Sequence, residues 1–207
     1  MPLRKIPSDR LHDVLGGAEM RVKYKDVFDL KEFYKALREW LQEHNWVATD
    51  GKTTFWETYY GERLDMKGTK EIWIRWRLTK NAVDTPLKYY LDYDWHCLGL
   101  TQVEVVKDGN KLKLDKGEAE IKIKAFLEEA YKSDFEQNPL LKPFAKMFAG
   151  RIYKDERERR EKELYQEVYE MQNFMKQWFK LKRYLPYEET PLFFKSRAWP
   201  SHIQGEK

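Results

Sequence analysis

The chain has 207 residues, and its 42% hydrophobic and 15% aromatic content excludes a mainly disordered protein. Its 39 basic and 35 acidic residues leave a net charge of +4, too small an excess to indicate or exclude a polyanionic partner. A single cysteine excludes an internal disulfide bond and a multi-cysteine zinc site. No apolar run matches a membrane span or a signal peptide, so we expect a cytoplasmic protein.

The N-terminal part predicts an arm, a strand and a helix. Two prolines and Gly16-Gly17 mark residues 1–17 as an arm, and the alternation from Ala18 to Lys25 predicts the first strand. Asp29 with Glu32 three residues later is a helix-capping pattern. The helix that follows, to about His44, has one apolar face made by Leu30, Phe33, Tyr34, Leu37, Trp40 and Leu41.

The middle of the chain predicts a series of strands, because apolar and polar residues alternate with a period of two. The Asp108-Gly109-Asn110 sequence is a strong hairpin signal between two of them. In Thr53–Arg63 both faces carry aromatic rings, so its buried face is undetermined. The predicted strands are Thr53–Arg63, 70–80, Leu87–Leu98, Thr101–Val106, Lys111–Asp115 and Gly117–Ala125.

The C-terminal part predicts helices. Phe126–Tyr131 has the spacing of a helical turn, and residues 154–185 form the longest predicted helix. Its KDERERREKE run predicts a solvated face or an extension beyond the core. After that run an apolar seam follows a four-three spacing, made by Leu164, Val168, Met171, Met175, Trp178 and Leu185.

These elements predict an α+β fold: an antiparallel meander of about six to seven strands, one helix after the first strand, and long C-terminal helices. The element order alone also suits a helix-grip layout, in which a curved sheet wraps the terminal helix. The chain divides into an arm at 1–17, a sheet domain at 18–130, a helical extension at 131–187 and a tail at 188–207. The extension packs on the sheet or projects from it; the sequence leaves both arrangements open.

Asp92, Asp94 and His96 form the sharpest candidate for chemistry. On a strand these three residues share one face at about 6.5–7 Å spacing. Two carboxylates and an imidazole are ligands for a divalent metal and also groups for acid–base catalysis. The alternative is the ordinary polar face of a half-exposed strand. No cofactor is otherwise predicted, and Cys97, on the apolar side of its strand, reads as a buried structural thiol.

A second candidate is a basic aromatic sheet face, a combination that some single-strand nucleic-acid binders use to hold phosphates and stack bases. Acidic residues on the same face, including Glu71, Asp92 and Glu118, argue against it, and cross-strand ion pairing explains the mixture without a ligand. The candidate residues are Trp73, Arg75, Arg77, Lys88 and Tyr90.

A third candidate is an interface at the C-terminal end, where apolar residues nearly encircle the last helix and continue into the tail. Such a helix docks on a protein partner, lies on an anionic membrane surface or is buried in its own domain. The membrane is the least favoured of the three. The candidate interface residues are Phe174, Trp178, Phe179, Tyr184, Phe193, Phe194 and Trp199.

The sequence favours a non-enzymatic protein-interaction or assembly module that uses this helix and tail as its contact surface. Three other functions stay open. One is binding of a small hydrophobic ligand in a cavity between sheet and terminal helix. The others are a metal-dependent enzyme built on Asp92, Asp94 and His96, and nucleic-acid binding through the sheet face.

Overall fold

The structure is a computed structural model that describes residues 10–50, 56–66, 68–107, 110–132 and 153–181. Its elements form an antiparallel sheet of seven strands with one helix after the predicted first strand and one C-terminal helix, so the predicted α+β fold is confirmed. In chain order they are β1 (Leu11–Asp13), β2 (Met20–Phe28), α1 (Leu30–Glu43), β3 (Val47–Ala48), β4 (Glu57–Leu64), β5 (Lys70–Asn81), β6 (Leu87–Lys107), β7 (Asn110–Glu129) and α2 (Tyr153–Leu181).

The sheet is five strands wide, because two of its edge positions are each shared by two short strands. β1 and β2 both pair with β7, and β3 and β4 both pair with β5. The order across the sheet is β1 and β2, then β7, β6, β5, and finally β4 and β3. All pairs are antiparallel, as the short predicted connections require.

β6 and β7 form one long hairpin in place of the several short strands that the sequence predicts. Lys107 pairs with Asn110, so the two strands meet on either side of residues 108–109, which lie outside the described residues. The register shifts between Leu98 and Thr101, where Gly99 has a φ of 67°. Opposite this bulge, a Cβ added at Gly117 would lie 3.0 Å from the Leu98 and Gly99 carbonyl oxygens. The two glycines therefore let both strands continue through the shift.

The helical turn predicted at Phe126–Tyr131 begins later than expected, because residues 126–129 belong to a strand and the helix begins at Tyr131. β7 runs on to Glu129, and Leu127 is fully buried on the same face as Ile123. Phe126 lies on the opposite face, so the two-residue period of the strand continues. The adjacent apolar residues Phe126 and Leu127 therefore lie on the two faces of one strand.

Both helices cover one face of the sheet, which we call the inner face; it carries Ile72, Ile74, Trp76 and Leu78 of β5. The Asp29 carboxylate accepts a hydrogen bond from the Glu32 amide at 2.9 Å and begins α1 at the predicted cap. All described members of the α2 seam are buried on this face, namely Leu164, Val168, Met171, Met175 and Trp178. α2 therefore packs on the sheet. Neither described helix has the length and apolar character needed to cross a membrane.

Polar contacts fix α2 at its N-terminal half. The Lys80 ammonium lies 2.8 Å from the Glu167 carboxylate, which also accepts a hydrogen bond from the Trp46 indole at 2.8 Å. Arg160 is buried and donates to the Val83 carbonyl at 2.8 Å. The sequence predicts that the charge run around Arg160 is a solvated face or an extension beyond the core. Arg160 is an exception, because its long side chain reaches Val83 in the turn that joins β5 to β6.

Replacing Leu164 by alanine tests this packing. The change leaves a cavity under α2, and we expect the free energy of unfolding to fall by about 2–5 kcal/mol. Tyr165→Ala is the matched control, because the neighbouring Tyr165 is exposed and its loss changes stability by about 0.5 kcal/mol or less. Denaturant titration measures both values. Equal values for the two variants would mean that α2 does not pack through its seam.

Candidate functional site

The residues that the sequence selects on β5 and β6 come together on the outer face of the sheet, the face opposite the helices. The antiparallel register sets them side by side in rows. Its pairs are Trp73 with His96, Arg75 with Asp94, Arg77 with Asp92, Thr79 with Tyr90 and Asn81 with Lys88. The metal candidate and the nucleic-acid candidate are therefore two halves of one surface.

Asp92 and Asp94 form ion pairs with the neighbouring strand. The Arg77 guanidinium lies 2.8 Å from Asp94 and 3.5 Å from Asp92, and Arg75 lies 3.5 Å from Asp94. Within the described ranges, no group of three or more His, Cys, Asp or Glu side chains is arranged to hold a metal ion. This geometry favours cross-strand ion pairing at the two aspartates.

His96 belongs to a different group from the two aspartates. Its Nε2 lies 2.9 Å from the Glu71 carboxylate, whose other oxygen is 2.9 Å from Arg63 of β4. The His96 ring also stacks on Trp73, with centroids 5.4 Å apart and planes 10° apart. Glu71 therefore links Arg63 and His96 beside the exposed part of the Trp73 ring.

Tyr59 of β4 extends this aromatic group, and sequence reasoning missed it. The Arg75 guanidinium lies 5.2 Å from the centre of the Tyr59 ring. Gly61 pairs with Trp73, and a Cβ there would lie 2.7 Å from the Tyr59 hydroxyl, so the tyrosine lies across the glycine. We call Tyr59, Trp73 and His96 the aromatic strip. Gly61 directly after Tyr59 and Tyr60 was the available signal, but it does not reveal which face is buried.

Two of the sequence-predicted nucleic-acid residues are occupied with structural contacts. Arg77 donates to the main-chain carbonyls of Trp76 and Tyr93 at 2.8 and 2.9 Å as well as pairing with the aspartates. Tyr90 is buried, and its hydroxyl donates to Glu128 at 2.6 Å. Trp73, Arg75 and the exposed Lys88 remain available at the surface.

Acids and bases of the outer face lie at different heights above the sheet. The exposed side-chain fractions of base and acid are 74% and 15% for Arg63 with Glu71, and 53% and 14% for Arg21 with Glu120. They are 47% and 21% for Lys23 with Glu118, whereas Arg77 with Asp94 reverses the order at 13% and 40%. At Arg63, Arg21 and Lys23 the basic side chain extends over the shorter acid, whereas Arg75 and Asp94 are about equally exposed at 48% and 40%. We call these projecting bases the cationic layer.

Of the predicted interface the structure describes Phe174, Trp178 and Phe179, and two of these three side chains are buried. Trp178 and Phe179 are buried, with ring centres 4.8 and 4.4 Å from that of Phe33 in α1. Phe174 is half-buried beside Trp40. The sheet and α1 already cover Trp178 and Phe179, which leaves these two side chains little exposed surface for a partner. Tyr184, Phe193, Phe194 and Trp199 lie outside the described residues.

Large side chains fill the region between the sheet and the two helices, where the sequence suggested a ligand cavity. Trp76 and Trp95 pack with ring centres 5.0 Å apart, and Phe33 lies 5.3 Å from Trp95. Cys97 is fully buried at the edge of this packing, as predicted, and burial raises the pKa of its thiol to about 12. A thiol with that pKa is not a nucleophile at neutral pH.

A charged cluster that the sequence did not indicate lies at the end of β7 on the inner face. Glu129 is buried, with His12 at 3.2 Å, Arg157 at 3.5 Å and the Tyr131 hydroxyl at 2.9 Å. It also pairs with Lys132. Burial alone would raise the pKa of Glu129, but hydrogen bonds from Lys132, His12 and Tyr131 outweigh burial and hold this pKa below its ordinary value.

Glu129→Gln tests this cluster. At neutral pH we expect the free energy of unfolding to fall by about 3 kcal/mol, the lower end of the cost of removing one partner of a buried ion pair, because Lys132 and Arg157 reach solvent. A lowered pKa stabilises the fold above the unfolded-state pKa, and this contribution is lost as pH falls through the folded-state pKa. The difference between wild type and variant therefore shrinks in acid.

Unfolding of both proteins by denaturant between pH 3 and pH 7 measures this difference. Glu161→Gln is the control, because Glu161 pairs with the same Arg157 but is partly exposed, and its replacement has little effect at any pH. A difference between wild type and Glu129→Gln that stays constant with pH contradicts the assignment.

Comparisons with known proteins give no match for this chain. No protein-family model matches it. A search of curated proteins and a search of solved structures likewise find nothing similar. The function is therefore argued from the outer face itself, from the aromatic strip and the cationic layer.

Proposed function

We propose that this protein is a binding module that holds single-stranded nucleic acid on the outer face of its sheet. The observation that carries the proposal is that the aromatic strip lies among basic side chains that project above their acidic partners. Phosphate groups and unpaired bases are the two features of a single strand that such a surface fits.

The cationic layer supplies attraction for phosphates. Arg63, Arg75, Arg21 and Lys23 keep between about half and three quarters of their side chains exposed, although each is ion-paired. A ligand that approaches from solvent meets these bases before it meets Glu71, Glu118 or Glu120. These three acids, which count against a polyanion in the sequence, thus lie beneath basic side chains, whereas Asp94 is 40% exposed.

The aromatic strip supplies stacking surface. The Trp73 ring is already parallel to His96 and therefore has a fixed orientation. Gly61, the cross-strand partner of Trp73, has no side chain and so leaves room for Tyr59, whose hydroxyl lies 2.7 Å from where a Cβ of residue 61 would be. A base that stacks here needs no particular donor pattern, because every base has a π-face. The proposal therefore predicts weak dependence on base sequence.

Other functions have less support from the geometry. Aspartates neutralised by arginine are poor metal ligands, since a cation would have to displace Arg77 from both. A cavity beneath α2 competes with Trp76, Trp95 and Phe33 for the same space. An interface on α2 could not use Trp178 and Phe179, because both side chains are buried.

Binding of a fluorescently labelled single-stranded oligonucleotide, measured by anisotropy at several salt concentrations, tests the proposal. We expect the affinity to fall as salt rises, with a logarithmic slope of about −0.7 for each phosphate contacted. Trp73→Leu removes one stacking ring, so its affinity falls by about 1–3 kcal/mol, and Arg63→Gln lowers both affinity and salt slope.

Lys154→Gln is the matched control for Arg63→Gln. It removes the same charge from an exposed position on α2, on the far side of the sheet, and leaves the affinity nearly unchanged. Equal weakening by Lys154→Gln would mean that binding follows net charge only. Failure of wild type to bind at low salt, or equal binding of a base-free polyanion such as heparin, would contradict the proposal.

A further inference from the structure

The two edges of the sheet are protected differently. On one edge β2 carries Arg21, Lys23 and Lys25 at exposed positions, a common way to prevent another strand from pairing with an edge. On the other edge β4 exposes Tyr59, Tyr60 and Leu64, with exposed fractions of 48%, 54% and 63%. Among the described residues β4 pairs with β5 only, so its outer main-chain groups face away from the sheet.

We propose that β4 pairs antiparallel with β4 of a second copy of this chain, with Gly61 opposite Gly61 on the two-fold axis. This inference concerns the edge of the sheet and does not depend on nucleic-acid binding. A second copy fits because a two-fold axis brings each residue of β4 opposite another residue of the same strand.

The side chains of β4 complement one another in this register. On the outer face, Tyr59 lies opposite Arg63 of the second copy, and Arg63 opposite its Tyr59, which gives two cation–π pairs. On the inner face, Tyr60 lies opposite Glu62 of the second copy. Tyr60 already donates to Glu62 of its own chain at 2.9 Å, so the same hydroxyl and carboxylate can pair across the interface.

The neighbouring registers are less favourable. Residues opposite each other in an antiparallel pair share a face. The outer faces of the two copies therefore stay on the same side only if the two-fold axis passes through a residue. The registers next to the one centred on Gly61 are those centred on Tyr60 and on Glu62. With Glu62 on the axis, two carboxylates oppose each other. With Tyr60 on the axis, Arg63 loses Tyr59 as its partner and reaches the bulge at Glu57, whose side chain lies on the inner face, where it accepts a hydrogen bond from Tyr34 of α1. The register centred on Gly61 avoids both problems.

Size-exclusion chromatography with light scattering, run over a range of protein concentrations, tests the pairing. We expect wild type to dimerise reversibly. In each copy Tyr60→Glu places a carboxylate opposite Glu62 of the other copy, which creates two repulsive contacts per dimer. We therefore expect the dimer Kd to rise at least about tenfold. Adding Glu62→Gln to that variant removes the repulsion and restores the dimer. A wild type that stays monomeric at all concentrations overturns the proposal.

Disulfide trapping tests the register. Under mild oxidation, a mixture of Tyr60→Cys and Glu62→Cys proteins is expected to form a cross-linked heterodimer, since the two positions face each other across the axis. Each protein alone is expected to stay uncross-linked, and the native Cys97 does not interfere because it is buried. Self-linkage of Tyr60→Cys, or equal linkage in all three samples, contradicts the Gly61-centred register.

Discussion

Within the part of the chain that the structure describes, helices cover one face of the sheet, and the rest of the described structure depends on this constraint. α1 and α2 bury the apolar residues of every long strand on the inner face, whereas no described element forms a second layer on the outer face. Its charged residues meet this need by pairing across strands, as Arg77 does with Asp92 and Asp94. The cross-strand pairs that stabilise the outer face also hold its basic side chains and aromatic rings in fixed positions.

Local patterns predicted much of the fold. The capping pair of Asp29 and Glu32 marks the start of α1, and the four-three spacing of Leu164 and Val168 marks the buried face of α2. These succeed because each depends on residues within a few positions of one another. The start of the helical turn predicted at Phe126–Tyr131 was placed too early. The adjacent apolar residues Phe126 and Leu127 fit a helical turn as well as the two faces of a strand, and only pairing with β1 and β6 decides between them.

The candidate site was only partly predictable. The sequence placed Trp73, Arg75 and His96 on one face, but Tyr59 and Arg63 joined them through the β4 pairing, which no local pattern reveals. Counting charges also misled, because the outcome depends on side-chain length: an arginine paired with a glutamate across a strand extends beyond it into solvent. A nearly neutral composition thus produces a surface whose outermost charges are mainly positive, as at Arg63 and Arg21.

The bulge at Gly99 has a separate consequence for the long hairpin. Beyond it, residues 101–106 of β6 have only β7 as their strand partner among the described elements, and each of these six side chains is exposed or half-buried. This distal part of β6 is less buried than the region from Leu87 to Cys97, where every second side chain is buried. Its main-chain hydrogen bonds are therefore free to open without unfolding the core, which makes the hairpin end a separate cooperative unit with lower local stability than the sheet it extends.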